Sequence, residues 1–382
     1  MKVGISLTKA RNKKEGITRY AIEVCNYLSN KDSIELTGEC VIGLGDSKKR
    51  IAEEFKESIR KVHIKVLKTV IPKRYIMRLY DDNQRIPFCS DIFFSNKKDV
   101  KIYFYNFIPR IKENCKKILV VHDLTPMHEA KTKKEKEKWR KKYQRSVNFA
   151  DLIFVDSEYT KKDLLRNVNT EEKKVKVNYC GVNLEQFKVE IREEQQLHVR
   201  EKYGLPKKFL LFVGQPRPNK NLYGLIQGFV KAIEIIGFDY KLVLSKSNEE
   251  INKYIHENKI ENNIIELNGI DEKDLPFVYK CSSGLALISF SEGFGLPLLE
   301  AMCSGIPTIT SNASCLPEIV GDASILCNPF DIDDISQRIV ELLLDKNTRE
   351  MLIANGYRQI EKYNWEKTGE SFYQEIMKIC TT

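Results

Sequence analysis

The sequence lacks long apolar runs. No stretch approaches the ~20 consecutive apolar residues that a membrane-spanning helix needs. A secretory leader is not expected either, because strand-like residues 2–7 begin at once and no long apolar stretch follows a basic start. With 19 glycines and 12 prolines in 382 residues, a fibrous or low-complexity chain is also excluded. The length instead suits two globular domains.

Close cysteine pairs are absent as well. The chain has 10 cysteines but no C-x-x-C pair, and Cys303, Cys315 and Cys327 each lie beside or inside an apolar segment. Zinc sites need ligands that are close in sequence, and small disulfide-stabilised proteins are much richer in cysteine. We therefore expect reduced, mostly buried thiols in a cytoplasmic protein, and no metal site.

The charge balance is moderately basic. Lys and Arg number 63 against 53 Asp and Glu, which gives a formal net charge of +10. Because the basic residues are interspersed with acids, this excess does not by itself indicate nucleic-acid binding. It is compatible with an anionic partner, either a phosphate-bearing substrate or an anionic membrane surface.

Short apolar runs alternate with segments of helical periodicity. The predicted strands are 3–7, 118–121 and 152–155 in the first half, and 209–213, 241–244, 264–267, 285–289 and 307–310 in the second. The predicted helices are 18–28, 131–148, 159–167, 222–236, 332–344 and 357–379. Strands separated by helices are typical of parallel sheets, so the two series predict an α/β protein with two doubly wound, Rossmann-like domains.

The domain border is predicted at the polar, highly charged stretch that begins at residue 183. The first domain would span residues 1–182 and the second 183–360. Residues 361–382 would form a final helix. No internal repeat is detected.

Chemistry is concentrated in residues 289–310, SFSEGFGLPLLEAMCSGIPTIT. Glycines in a strand-to-helix turn allow backbone amides to approach an anion, and Pro297 suits the first turn of the following helix. Glu292 and Glu300 flank this turn and are suited to accept hydrogen bonds from sugar hydroxyls. Since Glu300 lies in an apolar stretch, we expect it to be partly buried and to have a partner.

This segment resembles the signature of family four of the retaining glycosyltransferases, which have the GT-B architecture. Its mark is the pair of glutamates, here Glu292 and Glu300. Other segments resemble the family in the same order along nearly the whole chain: 16–20, 121–126, 157–160, 212–214, 218–222, 312–323 and 363–365. Such an ordered set is far more specific than one motif. The implied fold is two Rossmann-like domains facing across a cleft, with the C-terminal helix crossing back to the first domain.

The resemblance also implies roles for individual residues. Glu300 would bind the ribose of a nucleotide donor, Glu292 and His122 would act at the reacting sugar, and Lys220 would neutralise the diphosphate. Gly16 would close on the diphosphate from the first domain. The backbone amides near the donor would be those of Gly293, Phe294 and Gly295.

Two positions depart from the family pattern. Asn219 stands where an Arg often precedes the lysine that corresponds to Lys220, and Gln215 stands where some members have an Arg. Arg217 could supply the missing charge. The identity of the second phosphate-binding cation is therefore open.

The implied reaction is metal-independent hexosyl transfer with retention, without a separate cofactor. The segments 16–20, 122–126 and 218–222 look most like bacterial mannosyltransferases of polysaccharide assembly, which favours GDP-mannose as donor and a glycan or lipid-linked sugar as acceptor. The alternatives are a sugar-nucleotide epimerase of the same architecture and a non-catalytic sugar-nucleotide-binding subunit. The D-x-D at 331–333 is better explained as a helix N-cap than as a metal site.

Two first-half segments are strongly basic, residues 60–78 and 131–145. They are either solvated surface (a strand with a loop, and a helix face) or a docking surface for anionic lipid on the inner face of the plasma membrane. RNA binding is not expected, because their aromatic residues do not line up as stacking platforms.

Overall fold

The computed structural model describes residues 1–7, 16–44, 47, 53, 57–59, 61–72, 98–109 and 114–381. It contains two compact units. The first consists of Met1–Gly181 together with Trp365–Thr382, and the second is Val182–Asn364. The sequence predicts borders after residues 182 and 360.

The first unit is built on a parallel sheet. Its described strands are β1 (Lys2–Ser6), β2 (Glu35–Leu44), β3 (His63–Pro72), β4 (Val100–Tyr103), β5 (Lys116–Val121), β6 (Leu152–Val155) and β7 (Val175–Val177). They lie in the order β3-β2-β1-β4-β5-β6-β7. The described helices are α1 (Gly16–Ser29), α2 (Thr125–His128), α3 (Lys133–Phe149) and α4 (Glu158–Asn167). The order reverses between β1 and β4, as in doubly wound folds.

The second unit repeats this plan. Its strands are β8 (Lys208–Phe212), β9 (Tyr240–Leu244), β10 (Ile264–Glu266), β11 (Gly284–Leu287), β12 (Thr308–Ser311) and β13 (Ile325–Cys327), in the order β10-β9-β8-β11-β12-β13. Its longer helices are α5 (Leu184–Phe187), α6 (Glu193–Tyr203), α7 (Leu222–Ile236), α8 (Glu249–Glu257), α9 (Leu275–Cys281), α10 (Leu296–Cys303), α11 (Leu316–Val320), α12 (Ile332–Leu344) and α13 (Lys346–Ile360). The chain ends in α14 (Trp365–Thr381). The predicted fold class is confirmed, including the return of the last helix to the first unit.

All eight predicted strands are present, and the described residues form five more: β2, β3, β4, β7 and β13. β2 and β4 each carry a charged side chain in the interior. Glu39 in β2 and Lys101 in β4 are both 2% exposed, and their side chains form an ion pair at 2.8 Å. A buried charge is tolerated when it is paired in this way. The apolar pattern that identifies a buried strand is interrupted at these two positions, so the pattern alone does not find them.

The predicted helix 357–379 is wrong as a single element. The chain leaves α13 at Ile360 and starts α14 at Trp365. Tyr363, between them, is buried in the second unit and its hydroxyl donates to the carbonyl of Ile319 at 3.1 Å. Phe372 in α14 instead stacks on Phe154 of the first unit, with ring centroids 4.1 Å apart. The aromatic spacing along this segment therefore serves two separate cores.

The described cysteines are free thiols, and most of them are buried. Burial raises the pKa of Cys303 to about 11 and that of Cys327 to about 12, so both stay protonated near neutral pH. Within the described ranges, no helix has both the length and the apolar character to cross a membrane.

Candidate active site

The strand order of the second sheet reverses at β8 and β11, and the carboxyl ends of the strands at this reversal are called the ligand edge below. β8 pairs with β9 on one side and with β11 on the other. In open parallel sheets, ligands bind beyond the carboxyl ends of the strands at such a reversal. The loop 213–221 follows β8, and residues 288–295 follow β11. Both loops were predicted to hold donor-binding residues, and the fold brings them together.

Lys220 and Glu292 form an ion pair at this edge. Lys220 ends a short 3₁₀ turn (Pro218–Lys220), and its Nζ lies 2.5 Å from Glu292 Oε1. The same Oε1 accepts a hydrogen bond from Ser289 Oγ at 2.6 Å. The side chains are only 16% and 10% exposed, so solvent screens the pair weakly. The sequence predicted both residues in the site but not their direct contact.

The loop that carries Glu292 is fixed by its backbone. Glu292 N donates to Ser314 Oγ at 3.0 Å, and Gly295, the N-cap residue before α10, has a φ of 103°. A side chain at Gly295 would be strained at this φ, and a Cβ there would lie 2.9 Å from Leu316 Cδ2. Gly293 is half-buried. The side chain of Phe294 is buried edge-on against the ring of Tyr363, so only its backbone is suited to the predicted role.

Glu300 is buried in α10, with 5% exposure. The hydroxyl of Tyr279 in α9 donates to its Oε2 at 2.9 Å. The prediction of a buried carboxylate with a partner is confirmed. Tyr279 itself was missed, because it lies 21 residues before Glu300 and nothing in its own segment indicates a site.

The predicted second cation, Arg217, is exposed, and its backbone carbonyl accepts from Lys220 N at 2.9 Å. The departure at Asn219 has a structural use, since its side-chain amide donates to the carbonyl of Ser291 at 2.8 Å. This hydrogen bond joins the two loops. Where the family often has an arginine, this chain has Asn219, whose side chain holds the two loops together.

Lys246 is a further cation at the ligand edge, and the sequence analysis missed it. It is half-buried beside Gly269, whose added Cβ would lie 3.5 Å from Lys246 Cε. The preceding Ser245 links three strand ends: its Oγ accepts from Gly214 N at 3.1 Å, and its carbonyl accepts from Gly269 N at 3.0 Å. The available signal was position, because Lys246 is the second residue after the predicted strand 241–244.

In the first unit, Gly16 is the exposed first residue of α1, and His122 follows β5. His122 is 3% exposed, with Nδ1 2.6 Å from Asp156 Oδ2 and Nε2 2.7 Å from the carbonyl of Phe104. Burial by itself lowers the pKa of His122, but the Asp156 carboxylate and the Phe104 carbonyl leave it raised. A protonated ring satisfies both acceptors.

The role of His122 beside the reacting sugar stays a prediction. Both of its ring nitrogens are used inside the first unit, so neither can bind a substrate hydroxyl in this conformation. The ring also packs edge-on against Tyr20, whose hydroxyl accepts a hydrogen bond from Asn178. These contacts fix the orientation of the His122 ring in the first unit.

The basic segment 131–145 forms most of α3. Its two acids have local partners: Glu135 completes a capping box with Thr132, and Glu137 accepts two hydrogen bonds from Arg140 at 2.7 and 2.8 Å. Lys142 is buried against the rings of Phe107 and Trp139. Among the described residues, these exposed cations have no acidic partner: Lys133, Lys134, Lys136, Lys138 and Arg145. Of the other basic segment, residues 61–72 include β3, while residues 60 and 73–78 lie outside the described residues.

Within the described part of the chain, no three His, Cys, Asp or Glu side chains are grouped as metal ligands. Asp331 accepts from the backbone amides of Asp333 and Asp334, at 3.0 and 3.1 Å. The D-x-D at 331–333 is thus the N-cap of α12, as predicted.

Comparisons with known proteins show which proteins the chain is similar to. Residues 194–359 match the model of "Glycosyl transferases group 1", and residues 96–186 match "Glycosyltransferase Family 4". O-antigen chain mannosyltransferase B of Escherichia coli is 29% identical over 280 residues, covering 70% of this chain and 72% of that protein.

Solved structures resemble the whole chain. Sucrose-phosphate synthase from Thermosynechococcus elongatus has a TM-score of 0.76 at 17% identity, over 99% of both chains. Anabaena HepE, in complex with UDP-glucose, has a TM-score of 0.74 at 15% identity, over 99% of this chain and 100% of that one. At these identities the likeness is one of fold.

Proposed function

Because the chain belongs to family four of the glycosyltransferases, we propose that it transfers a hexose from a nucleoside diphosphate sugar to a hydroxyl of a glycan or lipid-linked sugar. The observation that carries this proposal is the Lys220–Glu292 pair at the strand-order reversal of the second sheet. It places a cation and a carboxylate side by side, where a phosphate and a sugar hydroxyl could each find a partner.

The proposed chemistry follows from this pair. When the glycosidic bond breaks, negative charge grows on the leaving diphosphate. The Lys220 ammonium leaves the Glu292 carboxylate and pairs with a phosphate oxygen of the leaving diphosphate. The backbone amides of 293–295 stabilise the same negative charge with their fixed dipoles. Glu292, released from its lysine, accepts from a hydroxyl of the donor sugar. Arg217 or Lys246 supplies the second cation.

We propose that the reaction retains the anomeric configuration and needs no metal ion. A departing phosphate oxygen can take the proton of the acceptor hydroxyl, so no protein nucleophile is required. Two measurements test this. The anomeric signal of the first product is followed by NMR, and activity is measured in EDTA with and without added Mn²⁺. An inverted product, or activity lost in EDTA and restored by Mn²⁺, would contradict the proposal.

The favoured donor is GDP-mannose. Its support is the similarity to O-antigen chain mannosyltransferase B. The experiment is a panel of GDP-mannose, UDP-glucose, UDP-galactose and UDP-N-acetylglucosamine, in which release of nucleoside diphosphate is followed, with Glu292→Gln as the control of lowered turnover. Fastest release from GDP-mannose is expected. Interconversion of the sugars would indicate the epimerase, and binding without release or transfer would indicate a non-catalytic subunit.

Glu300 is proposed to bind the ribose, and Tyr279 to orient its carboxylate. Tyr279→Phe removes the hydrogen bond that Tyr279 donates to Glu300 but keeps the ring. One such bond to a charged group contributes ~1.5–3 kcal/mol. We expect weaker binding of both the nucleoside and the nucleoside diphosphate, by similar factors, in calorimetry. A loss confined to the diphosphate would contradict the assignment.

We also propose that α3 docks on an anionic membrane surface at the cytoplasmic face, where a lipid-linked acceptor would be located. The support is the set of exposed cations whose neighbouring acids have local partners. Each basic side chain near an anionic bilayer contributes about 1 kcal/mol of attraction. The glycan-transfer proposal does not depend on this one.

Flotation with phosphatidylglycerol-containing vesicles tests the docking. Lys134→Glu with Lys138→Glu should lower vesicle binding at least tenfold, and salt should weaken the wild-type binding. The matched control reverses two exposed lysines of the second unit, Lys253→Glu with Lys346→Glu. Equal binding to pure phosphatidylcholine vesicles, or an equal effect of the control, would contradict docking through α3.

A further inference from the structure

Phe290 and Phe330 form an exposed aromatic pair on the second unit. Phe330 is 77% exposed and Phe290 37%, and their rings stack with centroids 4.8 Å apart and planes 22° apart. Large apolar side chains at such exposure leave their hydrophobic free energy unused in the folded chain. Exposed apolar surface that adjoins a polar site often marks a place where something binds.

The pair is held by the same turn that presents Lys220. Phe290 N donates to the carbonyl of Asn219 at 2.8 Å. On the other side of Lys220, the side-chain amide of Asn221 donates to the carbonyl of Pro329 at 2.8 Å. The two segments that carry the rings are therefore fixed to the residues directly before and after Lys220. The aromatic pair is continuous with the proposed donor site.

The backbone at Phe330 is ordered by its own contacts. Phe330 N donates to Asn328 Oδ1 at 3.1 Å, and Asn328 N donates to Asp334 Oδ2 at 2.6 Å. Asp331, the next residue, caps α12. The ring is thus presented from a fixed backbone, so less conformational entropy is lost when a ligand contacts it.

The position along the sheet indicates which ligand the pair takes. Phe330 follows β13, on the β12–β13 side of β11, whereas Lys246 follows β9 on the opposite side of β8. Lys220 and Arg217 lie in the loop after β8. The candidate second cation Lys246 therefore lies at the β8–β9 side, whereas the aromatic pair lies beside Lys220, on the side of the reversal that carries β11 to β13. The aromatic pair thus borders the donor site, but neither ring belongs to the set of residues proposed to hold the donor.

We propose that Phe290 and Phe330 form a stacking platform for a pyranose ring of the acceptor glycan. This rests on the proposed function, in which the second substrate is a sugar chain. One face of a pyranose is made of C–H groups that pack on an aromatic ring, while its hydroxyls point outward to polar groups. Lys231 and Asp333, an exposed ion pair in the helices next to Phe330, offer donors and acceptors for such hydroxyls.

The test is Phe330→Ala, with Phe238→Ala as a matched control. Phe238 is 70% exposed, but it follows the end of α7, at the sheet edge opposite to Asn221. Phe330→Tyr keeps the ring and should behave as wild type. The probes are α-linked mannotetraose and maltotetraose, with binding measured by saturation-transfer NMR and calorimetry. GDP and UDP affinities are measured in parallel.

We expect Phe330→Ala to weaken binding of at least one tetrasaccharide fivefold or more and to leave nucleoside diphosphate affinity within twofold. Phe238→Ala should leave tetrasaccharide binding unchanged. Unchanged tetrasaccharide binding would overturn the proposal, and so would failure of the wild type to bind either probe. A parallel loss of GDP or UDP affinity would instead assign the rings to the nucleobase and overturn it too. If no donor sugar is turned over, the proposed function fails, while tetrasaccharide binding still decides on the platform.

Discussion

Replacement of Lys220 by alanine tests the donor site most directly. Lys220 and Glu292 are both largely buried and meet at 2.5 Å, so the lysine ammonium is already desolvated and aimed at the ligand edge. A charge-assisted hydrogen bond of this kind contributes ~1.5–3 kcal/mol. With tenfold in affinity for each ~1.4 kcal/mol, Lys220→Ala should weaken binding of a nucleoside diphosphate by about tenfold to a hundredfold. Binding of the nucleoside should change little.

Glu292→Gln provides the opposite result. It keeps the shape of the side chain but removes the charge that competes for Lys220, so nucleoside diphosphate affinity should equal or exceed that of the wild type. Turnover should fall, because the contact to the donor sugar is weakened in the transition state. Opposite effects on binding from two residues in direct contact are not expected from general unfolding.

Calorimetry with GDP and guanosine, and with UDP and uridine, measures these effects. Lys231→Ala is the matched control, because Lys231 also pairs with a carboxylate at 2.5 Å in the same unit, but on its exposed surface. Lys220→Ala leaves the buried Glu292 carboxylate without its lysine, and such an unpaired charge destabilises a protein. Thermal unfolding of the variant measures this loss of stability separately from the loss of binding. Equal losses for nucleoside and diphosphate would refute the assignment of Lys220.

Two other predictions concern the frame around the sites. Gly295→Ala should lower the unfolding temperature more than Gly204→Ala, because both glycines have a positive φ but only Gly295 has a neighbour close to the added Cβ. The backbone strain that both variants share costs ~1–3 kcal/mol, and each kcal/mol lowers the unfolding temperature by roughly 2–4 °C. Equal shifts would show that the Leu316 contact is not limiting. The pKa of His122 is raised in the folded state, so its stabilising effect is full below its unfolded pKa of about 6.5 and is lost as pH rises through the folded pKa. Asp156→Asn should flatten this loss in urea unfolding between neutral and mildly alkaline pH, and an unchanged slope would contradict it.

The sequence predicts the elements best where each strand or helix packs against a single core. β5, β6, β8 and β11 are short apolar runs, and α7 and α12 have their predicted bounds because their periodicity, caps and length agree. Prediction failed where one segment serves two environments. The aromatic residues of 357–379 suggest one helix, but Tyr363 packs in the second unit and Phe372 in the first.

The candidate site was predictable as a set of residues, not as a set of contacts. The spacing of Glu292 and Glu300 identifies the loop and the helix, yet neither Tyr279 nor Lys246 has a local pattern of its own, because each reaches the ligand edge through strand order. His122 shows the reverse case. Its neighbours in sequence suggest an active-site histidine, whereas Asp156 and Phe104, from two flanking strand ends, use both ring nitrogens.

Strand order thus carries information that local spacing does not. β8 is adjacent to β11, although 74 positions separate Leu285 from its partner Leu211, and this adjacency brings Lys220 onto Glu292. The departure at Asn219 follows from the same adjacency: an amide there donates to the carbonyl of Ser291, which joins the two loops, whereas an arginine would add a charge beside a lysine that is already paired. The loss of one cation is then compatible with donor binding only if another strand end supplies it. Lys246 after β9 and Arg217 after β8 are the two proposed sources, and replacing each by alanine should show which of them this chain uses in place of the arginine.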